Sequence, residues 1–96
     1  MSNHLFKEEW LKDIPALYST EETPTNKKTI KLTYNSLGTT WRWHVVEAEE
    51  REGDILFFGL VEGIADEWGY FTLRQLKEVD EMLRKDNFGL MVDSFI

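Results

Sequence analysis

Apolar and polar positions change period repeatedly along the chain, and each change marks an element. Residues 6–13 (FKEEWLKD) place Phe6, Trp10 and Leu11 at helical spacing with charges between them, which predicts a short helix starting near Asn3 or His4. Ile14-Pro15 ends it, because proline disfavours the α conformation in the residue before it. Residues 16–26 (ALYSTEETPTN) carry turn chemistry without a period. They predict an irregular connector anchored on the core by Leu17 and Tyr18. From 28 to 35 (KTIKLTYN) the alternation is strict, with Ile30, Leu32 and Tyr34 opposite Thr29, Lys31 and Thr33. That is a half-buried strand. Residues 35–40 (NSLGTT) predict a turn, with Gly38 available for a positive φ. Residues 40–49 (TWRWHVVEAE) alternate again, with Trp41, Trp43 and Val45 opposite Arg42, His44 and Val46, and 49–53 (EEREG) close an acidic hairpin tip.

The stretch 54–61 (DILFFGLV) is different in kind, because it is apolar on both faces: Ile55, Phe57 and Val61 on one, Leu56, Phe58 and Leu60 on the other. Such a strand is central and at least partly covered on both sides. Gly59 in its interior points to a bulge or a close backbone approach. Residues 62–67 form a turn and 68–72 (WGYFT) a fourth strand. Thr72 then stands three residues before Gln75, the spacing of a capping box. Leu73, Leu76, Val79, Met82 and Leu83 give a helix over 73–85 one apolar stripe. Residues 86–89 (DNFG) stop it, with Asn87 or Gly89 suited to a left-handed cap, and 90–96 (LMVDSFI) form a last edge strand or a packed tail. The fold class is α+β: an antiparallel meander sheet of four to five strands, with a short N-terminal helix and a C-terminal amphipathic helix packed on it.

Composition narrows the function classes. Ninety-six residues suit a single α+β domain over 1–96. Four tryptophans, six phenylalanines and three tyrosines supply the apolar area that so short a chain needs. The absence of cysteine excludes a disulfide framework and thiolate metal sites, and fits a reducing cytoplasm. The opening MSNHLFKEEW does not read as a secretory signal, and no apolar run approaches the roughly 18 residues of a membrane span. A net charge of −7, with few clustered cations, argues against direct nucleic-acid binding and for a basic partner.

No cofactor or metal is expected. His4 falls in an N-terminus expected to fray, and His44 lacks a His or Cys partner at ligand spacing. Among Ser2, Ser19, Ser36 and Ser94, none sits in a nucleophile elbow. His44 could meet Glu62 or Asp66 in three dimensions, which leaves a small hydrolase or nucleotide-binding enzyme centred on His44 as an alternative. Gly59 and Gly63 are not followed by the Lys-Ser/Thr of a phosphate loop.

Two surface signals remain. Glu47, Glu49, Glu50, Glu52 and Asp54 crowd one tip, and Glu62, Asp66 and Glu67, beside Trp68, crowd the next turn. They are either solvated turns or carboxylates that engage a basic partner; a meander sets the two groups at opposite ends of the sheet. Arg42 and His44 alternate with Trp41 and Trp43. If the tryptophans face the core under the helix, Arg42 and His44 are exposed or lie under the connector.

The segments IPALYSTEETP at 14–24, WHVVEAE at 43–49, LFFGLVEG at 56–63, EWGYF at 67–71 and LRQLKE at 73–78 resemble the domain of unknown function 2958 family. The resemblance runs over roughly residues 11–78, with matching order and spacing. It implies no chemistry, because that family has no assigned activity. It implies small proteins of bacteria, phages and mobile elements, often near conjugation or anti-restriction genes. The expectation is therefore a small acidic, non-enzymatic, cytoplasmic protein that binds a protein partner with a basic surface. An anti-CRISPR or anti-restriction inhibitor is one form of it. The further alternative is a structural accessory or homodimer that pairs through an exposed sheet edge.

Overall fold

The structure, a computed structural model, describes residues 4–96. Its centre is an antiparallel sheet of β1 (Leu32–Leu37), β2 (Arg42–Arg51), β3 (Asp54–Glu62), β4 (Asp66–Thr72) and β5 (Gly89–Ser94), in the spatial order β4-β3-β2-β1-β5. The first four strands form the expected meander. Helix α1 (Leu73–Arg84) then carries the chain back so that β5 pairs with β1 at the opposite edge.

One irregularity decides which side chains share a face. Val45 pairs with Gly59 but Glu47 pairs with Phe58, so Val46 is an extra residue in β2. The bulge resets the alternation: Trp43 and Val45 before it and Ala48 after it all join the main core. Glu47 consequently turns to the other face, the one that His44 occupies. Opposite the bulge the two backbones approach so closely that a Cβ on Gly59 would lie 1.7 Å from the His44 carbonyl oxygen. The close approach expected at Gly59 is real, and the bulge itself belongs to its partner strand.

The core face carries Leu32, Tyr34, Val45, Ile55, Phe57, Phe71 and Leu90, covered by Leu73 and Leu76 of α1 and by Leu5, Phe6 and Ile14. Phe57 is fully buried, with the rings of Phe6, Tyr34 and Phe71 at 5.8, 6.0 and 5.5 Å. Each such side chain contributes about 1.5–3 kcal/mol through burial. The buried Tyr34 hydroxyl donates to the Leu5 carbonyl at 2.7 Å, and burial pushes its phenol well up.

Local chemistry sets the ends of α1. Thr72 accepts from the Gln75 amide at 3.1 Å while the Gln75 side chain accepts from the Thr72 amide at 2.9 Å, the reciprocal pair of a capping box. At the other end Asn87 has φ 64, and the amides of Phe88 and Asn87 donate to Leu83 and Arg84 in the Schellman pattern. Asp80 fastens the helix to β5 by accepting from the Leu90 amide at 2.8 Å and from Arg84 Nε at 2.9 Å. Burial pushes the Asp80 carboxyl up, but these two donors outweigh it and hold it below the usual range.

Several expectations change. The first helix is a 3-10 helix over Glu8–Asp13, without a side-chain cap, and Phe6 precedes it as a buried anchor. The expected start at Asn3 lies outside the described residues, as does Ser2. His4 is not frayed: its Nε2 lies 3.2 Å from the Leu90 carbonyl oxygen. β1 begins four residues later than the alternation suggests, because Lys28 is drawn toward the connector, and Ile30 is left exposed. β2 runs on to Arg51, so the acidic tip shrinks to Glu52 and Gly53, with φ 51 and 79, the two positive angles of a type I′ turn. Gly38, with φ 90, fills its expected role in the preceding turn. Trp43 packs on the core, but Trp41 stays 38 % exposed, stacked on Trp43 at 5.9 Å and lying against Gly63. It does not join the buried core.

Gly59→Ala is expected to destabilise the fold by about 3 kcal/mol or more, since the new methyl meets backbone that cannot move without breaking the β2–β3 ladder. A urea-unfolding midpoint unchanged from the native one would contradict the close approach.

Candidate functional site

The face of the sheet away from the helix is covered over only part of its area. Across one half runs the connector, whose Pro15 carbonyl accepts from the Ala48 amide at 2.9 Å. Glu47 holds this segment down. Its Oε1 accepts from the Tyr18 amide at 2.9 Å, and its Oε2 accepts from the Thr20 amide at 3.1 Å and from the Thr20 hydroxyl. Lys28 Nζ, 3.9 Å from the same carboxylate, donates to the Thr20 hydroxyl at 2.7 Å. Glu47 is 3 % exposed. A carboxylate so buried is tolerable only because donors surround it and a cation faces it. Among the described residues no buried side-chain nitrogen or oxygen lacks a partner.

The other half of this face is open and aromatic. The β3–β4 register sets Phe58 beside Tyr70 and Leu60 beside Trp68. Phe58 stacks on Trp68 at 5.8 Å and meets Tyr70 at 5.1 Å, and Tyr70 in turn meets Tyr18 of the connector at 6.2 Å. Trp68, Tyr70 and Tyr18 are 36 %, 52 % and 51 % exposed. Contiguous exposed rings of this kind are uncommon on a surface with no binding task.

At the upper edge of the open half three polar side chains join in a row. Thr33 Oγ1 lies 2.9 Å from His44 Nδ1, and His44 Nε2 lies 2.5 Å from Glu62 Oε1. Glu62 can only accept, so Nε2 carries a proton. Hydroxyl, imidazole and carboxylate are the group types of a hydrolytic triad. Thr33, however, is only 7 % exposed, and both ring nitrogens of His44 are already engaged. No lone pair is left to activate a water or an external hydroxyl. The row works as a cross-strand clasp over β1, β2 and β3. The hydrogen bond from His44 holds the Glu62 carboxyl below the usual carboxylate range; burial opposes this, and the charges of His44 and Arg42 add to it.

The residues expected to face a partner fall into three groups. Arg42, His44, Glu49, Asp54, Glu62, Asp66 and Trp68 share the outer face with Glu47, by register. Glu47 itself is a correction: it is buried against the connector, which takes up its carboxylate oxygens, and it reaches the surface only at the edge of a cleft beside Tyr18 and Tyr70. Asp54 is partly occupied as well, since it accepts from the amides of Ile55 and Arg74, and Glu49 accepts from Arg51 Nε at 2.7 Å. Glu50 and Glu67 alternate to the opposite side, and Glu52 sits in the turn. The tip around Glu52 and the turn around Gly63 stand at opposite ends of the sheet, as a meander requires. Tyr18, Phe58, Tyr70 and Thr33 were not among the expected surface residues. The alternation of Trp68 and Tyr70 along β4 could have flagged Tyr70; nothing local marks Tyr18.

Among the described residues no cluster of three or more histidine, aspartate or glutamate side chains could hold a metal ion, and no helix is long and apolar enough to cross a membrane. Comparison with protein-family models, curated proteins and solved structures returns no significant match.

The Glu62 carboxyl titrates below its unfolded-state value, so the clasp stabilises the fold above the ordinary carboxylate range and loses this contribution as pH falls through the folded value. Urea unfolding of the native chain and of Glu62→Gln is expected to show a stability gap near neutrality that closes in acid. A gap that widens in acid would contradict the clasp.

Proposed function

We propose that this chain is a non-enzymatic protein-binding module of the cytoplasm whose contact surface is the open half of the outer sheet face. The observation that carries this reading is the run of exposed rings from Trp68 through Tyr70 to Tyr18, over the half-buried Phe58. Tryptophan and tyrosine are the residue types that anchor interfaces, because they bury large area at little entropic cost. Acidic residues border the rings: Glu62 and Asp66 toward one end, Glu21 beside Tyr18 and Tyr70 toward the other. With a net charge of −7, the complementary partner is basic. The hairpin tip around Glu52 adds long-range attraction rather than contact area. The inhibitor role suggested by the resemblance to the domain of unknown function 2958 family is the form of this reading in which the basic partner handles nucleic acid. The clasped Thr33–His44–Glu62 row, with its hydroxyl buried and both imidazole nitrogens engaged, supports a binding role over a hydrolase.

Photo-cross-linking tests it. Benzoylphenylalanine in place of Trp68 should capture a basic protein in the native host, with a yield that falls as salt rises, while the same group in place of Met82 on the exposed side of α1 should not. Equal capture from both positions, or none from position 68, would refute the reading. A self-adduct from position 68 would assign the face to a homodimer instead.

A further inference from the structure

The connector does something costly at Tyr18. This residue has φ 67, in the left-handed region that glycine and asparagine occupy readily and a bulky aromatic residue rarely does. Such a conformation costs on the order of 1–3 kcal/mol and persists only where neighbouring structure enforces it. Here the enforcing group is Glu47, which accepts the Tyr18 amide at 2.9 Å. The outcome of that strain is an exposed ring, held 6.2 Å from the equally exposed ring of Tyr70 and tilted 55° to it. Core packing does not explain it, because the Tyr18 side chain lies outside the core.

Beside these two rings and Phe58 lies a cleft of about 320 Å³, bordered also by Glu21, Glu47 and Lys28. This volume is at the small end for ligand pockets and suits a single side chain. Three of its lining residues, Tyr18, Phe58 and Tyr70, are aromatic, and ring faces attract cations through their quadrupoles. Its two carboxylates, Glu21 and Glu47, outnumber its one lining cation, Lys28. Desolvation and the Tyr18 hydroxyl push the Tyr70 phenol up, and the two carboxylates add to this. Two cations of the chain border it without stacking on its rings. Lys28 lines the cleft with its ammonium donating to Thr20, and Arg51, paired with Glu49, reaches the Tyr18 hydroxyl at the rim.

We propose that this cleft receives an arginine side chain of the partner, with the guanidinium packed against the exposed rings of Tyr18 and Tyr70 and its N–H groups directed at Glu21. Arginine fits better than lysine, because its ion is planar, weakly hydrated and stacks on aromatic faces, whereas an ammonium keeps its water. The proposal rests on the protein-binding reading and names the anchor within that face.

The test is NMR titration of the isotope-labelled chain with acetyl-arginine amide and with acetyl-citrulline amide, its neutral near-isostere. The arginine probe should shift the Tyr18, Phe58 and Tyr70 ring signals saturably, and citrulline should bind about tenfold more weakly or not at all. Tyr70→Ala should abolish the shifts. Tyr18→Gly should abolish them too while leaving the fold intact, since glycine relieves the backbone strain. Equal binding of both probes, shifts confined to the Glu49–Glu52 tip, or no shifts would overturn the proposal. If the arginine probe fails while the position 68 cross-link to a basic protein persists, the anchor is wrong and the binding face stands. If both fail, the reading of the face falls with it.

Discussion

A buried carboxylate holds this fold's two halves in relation to one another. Glu47 lies one residue past a β-bulge, and only the bulge brings it to the outer face at that level of the strand. There it gathers the Tyr18 and Thr20 amides, the Thr20 hydroxyl and the nearby Lys28 ammonium. In water these groups would each be solvated. Under the connector they satisfy one another, and losing the carboxylate would leave several donors and a cation without their partner. The connector has no regular structure beyond one short 3-10 turn, so its position depends on this hub and on the Pro15–Ala48 hydrogen bond.

The same hub divides the outer face. Where the connector lies, Val46 and Leu17 are buried apart from the main core. Where it stops, Phe58, Trp68 and Tyr70 remain open, and Tyr18 is delivered to their border. The helix side of the sheet has no such division, because α1 and the N-terminal segment cover it around Phe57. The arrangement thus covers one side of the sheet fully and leaves part of the other side open. The Thr33–His44–Glu62 clasp then ties three strands together at the edge of the exposed area.

Much of the fold was legible where the determining chemistry is local. The Thr72–Gln75 capping box, the left-handed Asn87, the Gly38 turn and the crowded Gly59 each depend on residue types within a few positions of one another or on the absence of a Cβ. Meander order followed from alternation and short turns. The candidate site was less legible, because its determinants are cross-strand. Glu47 sits in a run of carboxylates and reads as one more solvated charge. The adjacent pair Val45-Val46, breaking the alternation just before it, is the sequence trace of the bulge that buries it. His44 and Glu62 could be suspected as partners, but the register that adds Thr33 could not be read from either strand alone. Tyr18 had no trace at all, since its backbone conformation is imposed by a side chain twenty-nine residues away.

Amide hydrogen exchange of Tyr18 and Thr20 tests the role of Glu47 most directly. Both residues belong to an irregular segment in which the Ser19 and Thr23 amides make only local turn hydrogen bonds, so strong protection at Tyr18 and Thr20 reports the buried carboxylate. The account requires both amides to exchange slowly, close to the rate of the β2–β3 ladder, and to lose that protection selectively in Glu47→Ala while the ladder keeps its own. Exchange at Tyr18 and Thr20 as fast as in an exposed loop of the native chain would contradict it.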